Sequence, residues 1–342
     1  MKRAVLTDYG KLEIINGPAL QARPYEAVVD IEVCGVCRTD KKAFLIGQKD
    51  LVLPRVLGHE IVGSISSLGE SAAGFGIGDR VQVHPGEFCG ACETCINGND
   101  HLCSKMQIIG FHLDGGFSEQ VAVPAALLTK VPDGLGSLAA SLAEPLACSI
   151  NIIKRLDIKG ADIAIYGAGP LGVLSAQLAR HFGAGRIAIV EPMAERRQAA
   201  QALCDLAIGY GPGTQGDLLE WTNGAGLGAC LCCCPGNGAF SSAISVLAKR
   251  GRLGFFSGLT DADPIAASVL NAIHYRELTV VGSYGCSIAD TRLALELLAG
   301  KDCGIGGAGH EVIGWDGLSG ALSDLEPQKH VFTFFMPQIQ GG

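Results

Sequence analysis

The stretch that most restricts the fold is Gly167-Ala-Gly169-Pro170-Leu171-Gly172, because of what stands on either side of it. Residues 161–166 are a run of small and branched apolar residues that reads as a buried parallel strand. A helix is expected from Pro170 towards Phe182, with proline in the first turn, where its missing N–H costs nothing. Residues 186–191 then read as a second strand. In this strand-turn-helix-strand setting the glycines allow a tight turn and close approach of the backbone to a pyrophosphate, which rests on the helix N-terminus. Glu191, nineteen positions after Gly172, can accept hydrogen bonds from the adenosine ribose hydroxyls. Its charge would repel a 2′-phosphate, so NAD is expected over NADP, with Arg196 and Arg197 just beyond it softening that preference.

The same rhythm continues downstream. Helix-like segments at 194–204 and 239–249 alternate with apolar runs at 229–234, 251–258 and 278–283, the later units of a doubly wound parallel sheet. Cys232, Cys233 and Cys234 are consecutive; neighbouring strand residues face opposite sides, so the three read as small buried residues and not as ligands of one metal. A helix at 287–299 and a strand at 329–335 return towards the first domain.

Upstream, residues 2–9, 26–33, 60–69, 79–83 and 116–124 carry the alternation of short strands divided by glycine-rich or proline-containing turns, which predicts an antiparallel, barrel-like region. Between them stand Cys89, Cys92, Cys95 and Cys103 at C-x2-C-x2-C-x7-C spacing. Two-residue gaps let neighbouring thiolates face one tetrahedral centre, and four sulfur ligands leave no open position, so this predicts a structural zinc. From residue 137 the period turns helical: Leu138, Leu142, Leu146 and Ile150 recur every four residues. Glu144-Pro145 lies inside that helix, where the proline is expected to break the turn and aim the carboxylate into a cleft.

A second metal centre is suggested by Cys34-Gly-Val-Cys37-Arg-Thr39-Asp40 and Gly58-His59-Glu60. A thiolate, an imidazole and nearby carboxylates are what a catalytic zinc needs, with one position left open for substrate.

Composition agrees with an enzyme of two domains. A chain of 342 residues exceeds the usual single core, and 48 glycines with 48% hydrophobic and 18% charged residues fit a compact α/β protein. The net charge of −8 argues against nucleic acid or an anionic membrane as partner. The absence of a long apolar run or signal-like start leads to a cytoplasmic expectation, and fourteen cysteines then read as reduced thiols and metal ligands.

With both cysteine stretches, Gly-His-Glu and the glycine motif in this order, the whole chain resembles the zinc-dependent medium-chain dehydrogenase/reductase family, the alcohol and polyol dehydrogenases. The resemblance implies an α/β fold: a GroES-like β-rich catalytic domain at 1–148 and 285–342, and an inserted Rossmann domain at 149–284. It implies that Cys37 and His59 are catalytic zinc ligands, that Glu60 and Glu144 share the remaining carboxylate role, and that Cys34 is a core thiol. Asp40 resembles the carboxylate that orients the ligand histidine, and Thr39 the hydroxyl that takes the alcohol proton. Lys42 stands where animal alcohol dehydrogenases carry a relay histidine. Two zincs per chain, NAD, a small-molecule alcohol or carbonyl substrate and a homo-oligomer, dimer or tetramer, are the implied partners. The expected reaction is hydride transfer between an alcohol, polyol or sugar and NAD. The alternatives are an amino-alcohol dehydrogenase of the threonine type and a non-enzymatic zinc- and dinucleotide-binding protein. Phe44, Phe111, His112 and Phe117 are candidates for lining the cleft or for the core.

Overall fold

The structure is a computed structural model that describes residues 1–259, 264–300, 309–325 and 331–339. Its larger landmarks are two sheets. Six strands are joined by parallel pairings in the order Leu206–Ile208, Ile187–Val190, Ile163–Tyr166, Leu227–Cys232, Leu247–Phe255, Thr279–Gly282. The two strands flanking the glycine motif are buried at every position, as a sheet covered by helices on both faces requires. Strand order reverses between Ile163–Tyr166 and Leu227–Cys232, so the crevice at their carboxyl ends opens beside Gly167 and Cys233.

The second sheet runs Leu128–Lys130, Arg80–Val83, Glu60–Leu68, Glu26–Gly35, Phe332–Phe335, His310–Ile313, with Gln120–Pro124 also paired to Glu26–Gly35. Its pairings are antiparallel except the last, which is parallel. Of the strand expected at 329–335, residues 329 and 330 lie outside the described residues, and the strand itself is Phe332–Phe335.

Three boundaries differ from expectation for identifiable reasons. The helix from residue 137 is broken, as Pro145 predicts, but ahead of Glu144: it is two helices, Ser137–Ser141 and Ala143–Lys154, with the break at Leu142. Pro145 has no N–H to give to the Ser141 carbonyl, so the helical bonding lapses before Glu144, and Pro145 occupies the first turn of the second helix. The helix expected at 239–249 stops at Val246, and strand Leu247–Phe255 starts at once because Leu247 pairs with Leu227 and is buried. The apolar run at 229–234 is strand only to Cys232.

Helix Ala143–Lys154 is buried along most of its length and packs against helices Pro170–His181 and Ile288–Ala299. Its apolar side chains join one core cluster that takes Val33, Val62 and Phe334 from the antiparallel sheet and Ile163, Ile165 and Ile189 from the parallel one. That shared core fixes the two sheets on one another.

Candidate active site

Antiparallel register brings the candidate metal ligands together. Gly35 pairs with Glu60 and Cys34 with Ile61, so the chain leaving one strand and the chain entering the next meet at one end of the sheet. Cys37 follows as the N-cap of helix Arg38–Ile46, and His59 immediately precedes the strand that Glu60 begins. Ligand atoms of Cys37, His59 and Glu60 lie within 4.8 Å of one another. Gly35 is required for this: a methyl there would sit 1.9 Å from Glu60 Oε2, so only glycine lets that carboxylate turn inward. Gly35 stands inside the Cys34–Asp40 stretch, but its own part in the site is visible only once its strand is paired with the one that Glu60 begins.

Asp40, fully buried, holds the cluster from behind. Its Oδ2 accepts from the Cys37 N–H at 3.0 Å and its Oδ1 from the Gly58 N–H at 3.1 Å. His59 Nδ1 lies 3.3 Å from Oδ1, although without an aligned hydrogen bond, so Nδ1 faces Asp40 and Nε2 is left for the cluster. Burial opposes a charge on His59, but the Asp40 carboxylate and the Cys37 thiol outweigh it and lift its pKa well above the usual histidine range. Burial and then the charge of Glu144 push Glu60 up to about 8. Burial also raises the Cys37 thiol. A soft thiol, an imidazole and a carboxylate brought together in a buried space are costly without a cation, and this donor set fits zinc.

Glu144 is near enough for its charge to act on Glu60, but its carboxylate turns elsewhere, accepting from the Cys148 thiol at 3.4 Å and clustering with Cys148 and Cys286. The Thr39 hydroxyl lies 3.6 Å from Cys37 Sγ on the half-buried side of its helix. Lys42 is exposed. Cys34 is fully buried in the core, as expected. Phe44 and Phe117 belong to the same core, Phe111 packs with its ring 5.6 Å from that of His59, and His112 Nδ1 accepts from the Ile108 N–H.

The four-cysteine segment forms a separate cluster whose thiol sulfurs also lie within 4.8 Å of one another. Cys92 and Cys95 sulfurs are 3.4 Å apart and Cys92 and Cys103 3.8 Å, far beyond a disulfide bond. A tetrahedron with Zn–S bonds near 2.3 Å has edges of about 3.8 Å, so the set fits zinc. The Thr94 hydroxyl, then the backbone N–H and the thiol of Cys95, hold Cys92 down to about 5, a ready thiolate. Asp100, at the end of this lobe, accepts from the Ile288 N–H, and Asn151 approaches His101, which ties the lobe to the buried helices. Cys232 is buried while Cys233 and Cys234 are half-buried; among the described residues none of the three joins a metal cluster.

At the crevice, Gly167 takes a positive φ of 100° and bonds its N–H to the Val190 carbonyl. A methyl on Gly172 would sit 1.8 Å from the Gly167 carbonyl oxygen, so the helix that Pro170 and Leu171 begin lies hard against the turn. Glu191 is buried, accepting from Ala168 N–H at 2.7 Å and Met193 N–H at 2.9 Å. Arg197 donates to the Glu191 and Pro192 carbonyls, whereas Arg196 reaches over Gly169, its Nη1 3.3 Å from where a methyl would stand. Burial lowers the Arg196 pKa, the Glu191 charge opposes this, and nearby Arg38 lowers it further; the helix capped by Cys37 therefore lies beside the crevice.

Residues 23–133 match the alcohol dehydrogenase GroES-like domain, and residues 170–300 match the zinc-binding dehydrogenase domain. An uncharacterised zinc-type alcohol dehydrogenase-like protein of Haemophilus influenzae is 32% identical over 300 residues, 84% of this chain and 86% of its own. The 2-dehydro-3-deoxy-L-galactonate 5-dehydrogenase of Pseudoalteromonas atlantica is 29% identical over 292 residues, 84% of each chain. The L-threonine 3-dehydrogenase of Vibrio cholerae is 29% identical over 287 residues, 81% of this chain and 82% of its own. A solved zinc-binding dehydrogenase from Sinorhizobium meliloti, bound to NADP, superposes with a TM-score of 0.89 at 26% identity, covering 98% of this chain and 99% of that one. The chain belongs to the zinc-dependent medium-chain dehydrogenase family, an oxidoreductase with a GroES-like part and a Rossmann sheet. Among the described residues, no helix is long and apolar enough to cross a membrane.

Proposed function

We propose that the chain reversibly oxidises a polyhydroxylated or related secondary alcohol to its carbonyl compound, with NAD as the hydride acceptor. The observation that carries this is the Cys37–His59–Glu60 donor set on a helix and strand end beside the dinucleotide crevice. When bound, zinc supplies Lewis acidity towards a substrate oxygen and the nicotinamide ring accepts the hydride. In this reading Cys37, His59 and Glu60 hold the metal and Asp40 keeps His59 Nδ1 turned away from it, while the Thr39 hydroxyl accepts the alcohol proton. Lys42 is exposed and has no histidine ring to pass a proton on, and in this reading the proton leaves Thr39 by water or cofactor hydroxyls. Gly167, Gly169, Pro170, Leu171 and Gly172 seat the pyrophosphate, and Glu191, whose carboxylate lies at the end of the second strand, takes the adenosine ribose. The four-cysteine cluster holds a second zinc that keeps its lobe folded.

The domain division at 1–148 with 285–342 and at 149–284 belongs to the same reading, supported by the pairing of Phe332–Phe335 with Glu26–Gly35. So does a homo-oligomer: Thr279–Gly282 is an outer strand with Val280 exposed, an edge suited to a second copy. A second reading, an amino-alcohol substrate, is favoured by the likeness to the threonine dehydrogenase. Steady-state rates with sugar alcohols, sugar acids, threonine and simple diols, each with NAD and with NADP, test both. Turnover of threonine above all polyols would overturn the substrate class, and a preference for NADP would overturn the role given to Glu191. No turnover of any alcohol by chain loaded with zinc would overturn the whole reading.

A further inference from the structure

Two short segments from distant parts of the chain reach the Cys37 cluster. The first is the turn at 48–51, which follows helix Arg38–Ile46 and is closed by a 3.0 Å bond from the Leu51 N–H to the Gln48 carbonyl. Val52, the next residue, gives its N–H to the Phe111 carbonyl at 3.1 Å, and the Phe111 ring stands 5.6 Å from that of His59. The second is the connector at 283–287, which runs from strand Thr279–Gly282 to helix Ile288–Ala299. Its main chain is held by the Ser283 N–H donating to the Phe255 carbonyl at 3.3 Å and by the Asn151 amide donating to the Gly285 carbonyl at 2.9 Å. One residue further, Cys286 brings its sulfur within 4.8 Å of a Glu144 oxygen, and the charge of Glu144 acts on Glu60.

Tyr284 is the residue the core does not explain. Its main chain is pinned on both sides and Cys286 is buried, yet the Tyr284 side chain is 58% exposed. A tyrosine kept out of the core offers a ring and a hydroxyl to whatever comes alongside. Burial of its inner part, and then the charge of Asp50, raise the phenol pKa, while His59 opposes them. The phenol therefore lies within the fields of both the turn and the metal cluster. Asp50, in that turn, is half-buried. Of the basic residues near it in sequence, Lys49 is exposed, and Arg55 gives its guanidinium to Asp114 at 2.9 Å and to the Val52 carbonyl at 3.2 Å. That leaves the Asp50 carboxylate to meet what enters between the two segments.

Resting on the reading of the Cys37 cluster as a site of alcohol oxidation, we propose that Asp50 and Tyr284 determine specificity at its mouth. Together they take a hydroxyl of a neutral polyol beyond the carbon that is oxidised, and they turn away alcohols that carry a carboxylate or phosphate there. The Asp50 carboxylate accepts from such a hydroxyl, and the Tyr284 O–H donates to the same oxygen or to its neighbour. A chain of neutral hydroxyls satisfies both groups. An anionic end sets like charge against Asp50 where burial weakens the screening by water. Selection then works by refusal as much as by attraction, and it narrows the substrate class to uncharged polyols.

The experiment is steady-state kinetics of the full chain loaded with zinc, with NAD and matched substrates: ribitol, xylitol and sorbitol, the corresponding aldonic acids, and the polyol phosphates. The wild-type chain is expected to favour the polyols in kcat/KM by at least about tenfold over the acids and phosphates. Asp50→Asn keeps the shape and removes the charge, and should narrow that ratio about three- to tenfold. Tyr284→Phe should raise KM for the polyols about three- to tenfold with a smaller effect on kcat. Zinc content and NADH affinity, measured on each variant, tell a lost substrate contact from a damaged site. Acids or phosphates used as well as polyols by the wild-type chain, an unchanged ratio in Asp50→Asn, or an unchanged polyol KM in Tyr284→Phe overturns the inference while alcohol oxidation stands. No turnover of any alcohol overturns the reading of the reaction, and this inference with it. Should the variants not fold, the wild-type ratio decides.

Discussion

Gly172→Ala tests how closely the dinucleotide turn and its helix are packed. The added methyl would lie 1.8 Å from the Gly167 carbonyl oxygen, which is about 1.6 Å inside an ordinary contact. The obstacle is backbone, and Gly167 is anchored by its bond to the Val190 carbonyl, so no side chain can rotate to make room. Helix Pro170–His181 must lift, loosening Val173 and Leu174 from the core. Overpacking of this size costs about 1–3 kcal/mol. The lifted end is the proposed pyrophosphate seat, so binding is expected to suffer as well as stability. Gly169→Ala is the matched control, because its methyl meets only the tip of Arg196 at 3.3 Å and a flexible side chain can yield. Urea unfolding and NADH titration by fluorescence measure both effects. Gly172→Ala is expected to unfold at lower urea and to bind NADH at least about tenfold more weakly, which corresponds to about 1.4 kcal/mol. Gly169→Ala should stay within about 0.5 kcal/mol of the parent in stability. If Gly172→Ala matched the parent in both measurements, the steric argument would be refuted.

Four further outcomes are expected. His84 is buried, and burial, then the charge of His101, push it down to about 4. Its folded pKa lies below the unfolded value near 6.5, so its contribution is whole above about pH 6.5 and is lost as pH falls towards 4, about 3 kcal/mol across that window. His84→Asn should therefore reduce the difference in unfolding free energy between pH 7 and pH 4 by about that amount, and an unchanged difference would show that His84 does not drive it. Asp40→Asn leaves one oxygen for the N–H groups of Cys37 and Gly58 and turns an NH₂ towards the other; zinc competition should give about 10–100-fold weaker affinity at the Cys37 cluster, with the Cys89 cluster unaffected. Cys92→Ser should remove one zinc and open the 89–103 lobe to limited proteolysis. Gly35→Ala should displace the Glu60 carboxylate and lower activity by a larger factor than it lowers unfolding free energy in relative terms, checked by kcat alongside thermal unfolding.

What could be read in the sequence was whatever short-range chemistry dictates. The parallel strands at 163–166 and 187–190 announce themselves because every position is apolar, and the four cysteines because their spacing alone builds a tetrahedron. Cys37 and His59 were legible as a pair only through the resemblance, since a lone cysteine and a lone histidine are more often core residues; the strand register then brings them within 4.8 Å. The direction of Glu144 was not: periodicity tells which face of a helix is buried, but its partner Cys286 is set by the packing of another helix far along the chain. The break in this helix was legible from Pro145, but its place at Leu142 follows only from the missing bond to the Ser141 carbonyl. Helix Ala267–Tyr275 has no fully buried residue, and only Val269, Ala272 and Ile273 pack against the core, a stripe of three partly buried residues that is too short to stand out as a pattern.

The pairing of Phe335 with Cys34 and Phe334 with Gly35 has a consequence for how the chain is made. The strand that delivers Gly35 and Cys37 emerges well before one of its two neighbours at that end, Phe332–Phe335, has been made. The six-stranded parallel sheet is complete by Gly282 and can fold while that neighbour is still being translated. Closing this span is entropically costly, so the parallel sheet is expected to fold first and the reactive end to be completed against it. A nascent chain halted before Phe332 would bind dinucleotide before it could hold a competent Cys37 cluster.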